Sequence, residues 1–233
     1  MSDVAIEAEE TSQLGSAAEP HAAGPEDDHG IHSGHHTVTG ISNEKLAMWL
    51  FLGSECLLFG GLISTYLLYK NRPGALILQE PAAGARAGSP VRISELFDIP
   101  FTSASSFVLL ASSLTMVFAV LAAARNETSR LRLWLGTTAL LGIVFISGQV
   151  YEFTSFVKEG LGYTSNVSTS AFYTLTGFHG VHVTLGIVML FSCIALTFRA
   201  RKPSAESIEI VGLYWHFVDI IWILIFTVVY LIM

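Results

Sequence analysis

Five long apolar runs, at 46–69, 101–124, 133–153, 171–198 and 210–233, constrain this chain more than any other feature. Each supplies the roughly 20 residues that a helix needs to cross a hydrocarbon core. The runs are too long and continuous for barrel strands, and in lipid only helices or closed barrels satisfy their own backbone hydrogen bonds. With 52% hydrophobic and only 13% charged residues, and a mean hydropathy of +0.56, lipid is the solvent that fits. The sequence therefore predicts an all-α membrane protein, a bundle of five transmembrane helices spanning residues 46–233. The fourth run has 28 residues without Asp, Glu, Lys or Arg, so it is expected to tilt or to extend beyond the bilayer.

Residues 1–45 read differently. They are rich in Ala, Gly, Ser, Glu and His and lack apolar periodicity, so they are expected to form a disordered tail that cannot offset the entropy of ordering. Most of the formal net charge of -7 sits there, where Glu7, Glu9, Glu10, Glu19, Glu26, Asp27, Asp28 and Glu44 face Lys45. That balance describes a solvated tail and excludes a nucleic-acid-binding surface. His21, His29, His32, His35 and His36 form a tract able to chelate a divalent metal, but a plain solvated tail is the preferred reading, since no Cys or carboxylate geometry fixes a site. The acidic N-terminus lacks the positive region of a secretory signal, so the first apolar run is expected to insert as an ordinary span. Cys56 and Cys193 both lie in apolar runs and imply no disulfide framework.

Orientation follows from basic residues near the span ends. Lys45, Arg125, Arg130, Arg132, Arg199, Arg201 and Lys202 fall on the side of the N-terminal tail, and Lys70, Arg72, Arg86, Arg92 and Lys158 on the other. The first set hugs the membrane boundary, whereas Arg86 and Arg92 lie within a long loop. This predicts an N-terminus inside and a C-terminus outside. Arg199, Arg201 and Lys202 form a boundary cluster that reads either as a positive-inside anchor or as a site for anionic lipid head groups, each basic residue contributing about 1 kcal/mol.

Helices in lipid associate through small residues and polar contacts. Candidate packing ridges are Ser105, Ser112 and Ala119 in the second span, Gly136, Gly142 and Gly148 in the third, and Gly177, Gly180 and Thr184 in the fourth. Six ionisable residues lie within spans: Glu55, Glu152, His179, His182, His216 and Asp219. Each is expensive to leave against lipid and must face protein or water. At ~1.5 Å per residue, Glu55 lies ~13 Å from the inner boundary and His179 and His182 ~12 to ~17 Å, so these three share a level. Glu55 is expected within hydrogen-bond reach of one of the two histidines. His216 and Asp219 are three apart on one face of the fifth span, and Glu152 neighbours Gln149 and Tyr151 at the outer end of the third. Three readings compete for these groups: hydrogen bonding between helices, a proton or ion path, and metal or haem ligation by a pair among His179, His182 and His216. On physics alone a transporter also stays open.

At these same residues the chain resembles a known family. Thr176-Gly177-Phe178-His179-Gly180-Val181-His182-Val183, followed by Tyr214-Trp215-His216-Phe217-Val218-Asp219-Ile220-Ile221-Trp222, is similar to the signature of subunit III of haem-copper oxidases. Met48-Trp49-Leu50-Phe51-Leu52-Gly53-Ser54-Glu55 resembles that family's run ending in an embedded Glu, and Gln149-Val150-Tyr151-Glu152-Phe153 resembles its third-span element. The resemblance covers roughly residues 44–233. It implies an accessory subunit of a bacterial plasma-membrane terminal oxidase, without a catalytic residue, metal or cofactor of its own. Haems and copper are implied in partner subunits I and II. It further implies packing on subunit I, phospholipid binding and support of proton uptake. Cytochrome c is the expected electron donor to the complex, with quinol as the alternative.

Overall fold

The computed structural model describes residues 42–70, 99–158, 162–163, 167–199 and 203–231. All of the elements among them are helical. They are α1 (Asn43–Lys70), α2 (Ile99–Ala124), α3 (Thr128–Lys158), α4 (Val167–Thr197) and α5 (Ala205–Phe226), the last continuing into a π-helical turn at Thr227–Leu231. Among the described residues five helices are long and apolar enough to cross a membrane, and the chain is a multi-pass membrane protein. The tail 1–41, with its five histidines, lies outside the described residues.

Every helix begins before the limit that apolarity alone marks. The third covers 31 residues rather than 133–153, as long as the fourth, so unusual length is not confined to the run without charges. At ~1.5 Å per residue, 31 residues span about 46 Å, well beyond a core of about 30 Å. The added turns carry Thr128, Ser129 and Arg130 in α3 and Glu206, Ser207 and Glu209 in α5. Hydropathy discounts such residues, yet they continue the backbone ladder through the interface.

Local chemistry sets several ends. Ser42 Oγ accepts from the Lys45 amide at the start of α1, and Ser204 Oγ accepts from the Ser207 amide at 3.1 Å at the start of α5. Between α2 and α3, Asn126 adopts φ 56, a left-handed geometry that Asn tolerates. There the Glu127 amide reaches Ala122 O and the Asn126 amide reaches Ala123 O, the crossed pair of bonds that closes a helix C-terminus in a tight turn. The Glu127–Arg130 ion pair at 3.1 Å then opens α3.

Helices α2, α3, α4 and α5 pack as a ring of four, each touching the next, and α1 lies outside on the seam between α4 and α5. Consequently α1 buries the least of its surface and α5 the most. Trp215 is the centre of the ring. It is fully buried, its ring lies against Gly142 of α3 and Gly186 of α4, and its Nε1 donates to Ser112 Oγ of α2 at 3.0 Å. Trp222, two turns on, donates to Ser106 Oγ at 2.8 Å. Thr115 and Thr138 join α2 to α3 at 2.7 Å. Each of these bonds satisfies a polar atom that lipid would leave unpaired.

At the tail-side ends, Lys45 pairs with Glu209 at 2.8 Å, and Arg132 Nε donates to Thr197 Oγ1 at 2.9 Å while its ring-facing side covers Phe198. At the opposite ends, Lys70 Nζ donates to Val228 O at 3.0 Å, within the π-helical turn. The cation thus sits on the carbonyl end of α5, where the helix dipole favours it.

Candidate functional site

The six intramembrane ionisable groups do not form one site. The structure sorts them into a pair, a network, an enclosed ring and a seam.

The pair joins α1 to α4. Glu55 Oε2 lies 3.1 Å from His182 Nε2, with both side chains largely buried. The other ring nitrogen, Nδ1, is 2.8 Å from Phe178 O. A carbonyl can only accept, so Nδ1 carries a proton. In a neutral imidazole Nε2 is then bare, and a bond to Glu55 requires the carboxyl to donate. With a carboxylate, the imidazole must instead carry both protons. Either way one proton lies between the two groups, and the pair together with it is electrically neutral, the state that low-dielectric surroundings favour. Phe59 meets the His182 ring edge-on at 5.1 Å between centroids, and the Tyr214 hydroxyl donates to His182 O at 3.0 Å, fixing the imidazole and its backbone. Of the two histidines at Glu55's level, His182 is therefore the partner.

His179, one turn earlier, points into the ring of four. It stacks on Trp222 at 4.9 Å between centroids, meets Phe145 edge-to-face at 6.0 Å between centroids, and both its ring nitrogens are buried without a hydrogen-bond partner.

The network gathers at Glu152. Its Oε1 accepts from Thr102 Oγ1 of α2 at 2.7 Å and from the Tyr230 hydroxyl at 3.1 Å, and its Oε2 accepts from Gln149 Nε2 at 3.3 Å. Three helical segments are thereby tied at one end of the bundle. Tyr151, adjacent in sequence, points outward against Phe101 instead. Sequence reasoning missed Tyr230, Thr102 and Lys70. The π-helical turn that brings Tyr230 to Glu152 leaves no mark in hydropathy.

The seam is where α2 meets α5. His216 Nδ1 is 2.6 Å from Ser113 Oγ, and His216 is half-buried. Asp219 is buried nearby, beside the Ser113 hydroxyl but outside hydrogen-bond geometry, and neither of its oxygens has a partner. Among the described residues no three His, Cys, Asp or Glu side chains converge as a metal site would require.

Small residues divide as well. Gly142 and Gly148 are covered, Gly148 by Ser105 and Phe101, whereas Gly136, Gly177 and Gly180 meet nothing within contact distance. Gly177, Gly180 and Thr184 instead line an open groove of about 340 Å³ between α3 and α4, with Gln149 and Phe153 on its other wall. They are not packing ridges within this chain. Gly186, not singled out by spacing, takes that role against Trp215. Arg199 is exposed at the end of α4, and Arg201 and Lys202 lie outside the described residues.

Comparison with known proteins places these features in a family. The family model for cytochrome c oxidase subunit III matches residues 27–233, beginning within the acidic tail. The chain is 38% identical over 194 residues to cytochrome c oxidase subunit 3 of Bacillus sp. strain PS3, covering 81% of this chain and 86% of that one. It is 38% identical over 191 residues to the probable quinol oxidase subunit 3 of Staphylococcus saprophyticus, covering 81% and 88%. Identity is 33% over 216 residues to the cytochrome bo(3) ubiquinol oxidase subunit 3 of Pseudomonas aeruginosa, covering 92% and 93%. The chain therefore belongs to the cytochrome c oxidase subunit III family of the haem-copper oxidases and is a multi-pass membrane subunit of an oxidase complex.

Proposed function

We propose that this chain serves a proton-pumping oxidase fed by cytochrome c, as a subunit without a redox centre that stabilises subunit I, retains phospholipid and sustains proton uptake. The observation that carries the proton role is the Glu55–His182 pair, which holds one proton inside the membrane at 3.1 Å while remaining neutral overall. Such a pair can pass a proton to or take one from a neighbouring path without stranding a net charge in lipid.

The intramembrane histidines fit a metal poorly. His182 has both nitrogens engaged, His179 is enclosed by Phe145 and Trp222, and His216 has Nδ1 on Ser113. Haems and copper are accordingly assigned to partner subunits I and II. Residues 1–40 are assigned no part in assembly, the N-terminus is assigned to the cytoplasmic side, and Arg199, Arg201 and Lys202 at that boundary favour anionic phospholipid. A quinol donor is the second reading, favoured by the 92% of this chain covered by a ubiquinol oxidase relative.

Purification of the oxidase through a tag on this chain tests the assignment. The visible spectrum should show haem, the partner subunits should include copper-bearing ones, and turnover should follow reduced cytochrome c. Turnover with quinol alone selects the second reading, and a haem-free preparation overturns both.

A further inference from the structure

We infer that the groove between α3 and α4 binds the hydroquinone head group of a membrane quinol, with Gln149 Oε1 accepting from a ring hydroxyl. Binding there is independent of which donor feeds the complex, because the groove belongs to this chain and no electron transfer is assigned to it.

The groove opens sideways to the membrane. Its rims, Val150 on α3 and Val181 and Leu185 on α4, are all more than half exposed. Gly177 and Gly180 keep it open, since a Cβ at either position would meet nothing within 4 Å. From Thr176 to Leu185 it runs ~14 Å along α4 at ~1.5 Å per residue. Its volume of about 340 Å³ over that length gives a section of ~24 Å², or ~5–6 Å across, against the ~10–12 Å diameter of a helix with its side chains. A helix of another subunit is too wide to enter it. A small planar ligand is not, and the volume falls at the lower end of the ~300–1,000 Å³ of ligand pockets.

Gln149 decides what such a ligand must carry. Its side chain is only 7% exposed and lines the groove, and its Nε2 is turned to Glu152 Oε2 at 3.3 Å. Among the described residues its Oε1 has no hydrogen-bond partner. The Thr176 and Thr184 hydroxyls spend their protons on Phe172 O and Gly180 O within α4, at 2.6 and 2.8 Å. The oxygens that the groove offers are therefore acceptors, and its occupant has to donate.

Depth narrows the choice. Gln149 lies ~6 Å inside the end of the apolar run at residue 153 and ~14 Å from Lys158 at ~1.5 Å per residue. A phospholipid holds its donors in the head group above that level, and an acyl chain brings none to Gln149 Oε1, which then stays unpaired. A hydroquinone is a flat apolar ring that enters hydrocarbon and carries hydroxyl donors on its edge. Phe153, set edge-on against Phe172 and Tyr173, supplies an aromatic wall for it. The oxidised quinone has carbonyls where the quinol has hydroxyls, so it would set acceptor against acceptor at Gln149. The groove thus selects the reduced form.

The test uses the intact oxidase in lipid nanodiscs, inhibited with cyanide so that the probe stays reduced. The probe is a decyl hydroquinone with a photoreactive diazirine in its tail, and adducts on this chain are mapped by mass spectrometry. Adducts are expected on α3 and α4 beside the groove, displaced by unlabelled decyl hydroquinone at about tenfold lower concentration than by the matching quinone. Gly180→Leu fills the groove and leaves the Gln149–Glu152 bond in place, so it should abolish these adducts. Gln149→Leu should weaken the hydroquinone about tenfold and leave the quinone unchanged, erasing the preference. Equal displacement by the two forms, labelling that survives Gly180→Leu, a phospholipid chain that holds the groove against the probe, or no adduct there would overturn the inference. A haem-free preparation that still shows selective displacement would overturn the oxidase assignment and leave the quinol site standing.

Discussion

Replacing Gly186 by Ala tests the packing at the centre of the bundle directly. A Cβ built on Gly186 would stand 2.8 and 2.9 Å from two carbons of the Trp215 ring and 3.3 Å from the Tyr214 ring. These are not flexible side-chain ends. The Trp215 ring is already flanked on its far side by Gly142, where a Cβ would meet it at 2.7 Å, and its Nε1 is held by Ser112. The ring has no room to yield, so α4 must move or the indole must leave its rotamer, at a cost of about 1–3 kcal/mol. Gly177→Ala on the same helix is the internal control, because nothing lies within 4 Å of its Cβ position. There alanine should gain about 0.5–1 kcal/mol through helix preference. The helix gain is common to the two substitutions and cancels, so the difference between them, about 1–3 kcal/mol, isolates the contact. It is read from the midpoint of SDS-induced unfolding in mixed micelles, followed by tryptophan fluorescence and circular dichroism. Equal midpoints for the two variants would refute the claim that the Trp215 slot is filled.

Other outcomes follow from the polar contacts. Glu55→Gln keeps an amide that can donate to or accept from His182 Nε2, so the chain should remain in the complex while proton uptake slows; unchanged uptake would remove the proton role. Tyr230→Phe should destabilise the bundle by about 1–2 kcal/mol, and combining it with Thr102→Val should be non-additive by about 0.5 kcal/mol or more in a double-mutant cycle, since both donate to Glu152 Oε1. Lys70→Met removes the bond to Val228 O and should speed amide exchange across Thr227–Leu231 while leaving α3 protected. Deleting residues 1–40 should leave assembly of the complex intact, as judged by subunit stoichiometry after purification.

What was legible in advance divides along physical lines. The number and order of the helices could be read because lipid imposes a length and an apolarity on any span, and both are written in composition. The approach of Glu55 to His182 could be anticipated because a polar pair in hydrocarbon must share a depth, and depth follows from counting residues. Which histidine it meets could not be read, since His179 and His182 differ only by rotation about α4, and rotation is set by where Phe59, Phe145 and Trp222 fall. Glycine spacing misled for the same reason. Gly177 and Gly180 repeat as neatly as Gly142 and Gly148, but only the latter two face another helix. Small size permits close approach without saying which side is approached.

The distribution of satisfied polar groups points to a division of labour within the bundle. Tryptophan, tyrosine and threonine donors are paired off inside the ring of four, and Glu152 collects three donors at one end, so these contacts fix the helices relative to one another. Glu55 and His182 are held by the same kind of scaffold, yet their contact joins two titratable groups rather than a fixed hydroxyl or amide donor to an acceptor, and the proposed role makes its proton mobile. That distinction gives a separable expectation: His182→Gln should preserve a hydrogen bond across α1 and α4 and leave the SDS midpoint within about 1 kcal/mol, while affecting proton uptake as strongly as Glu55→Gln. If His182→Gln instead released α1 from the bundle with uptake per assembled complex unchanged, the pair would be a structural clamp like the others, and its shared proton incidental.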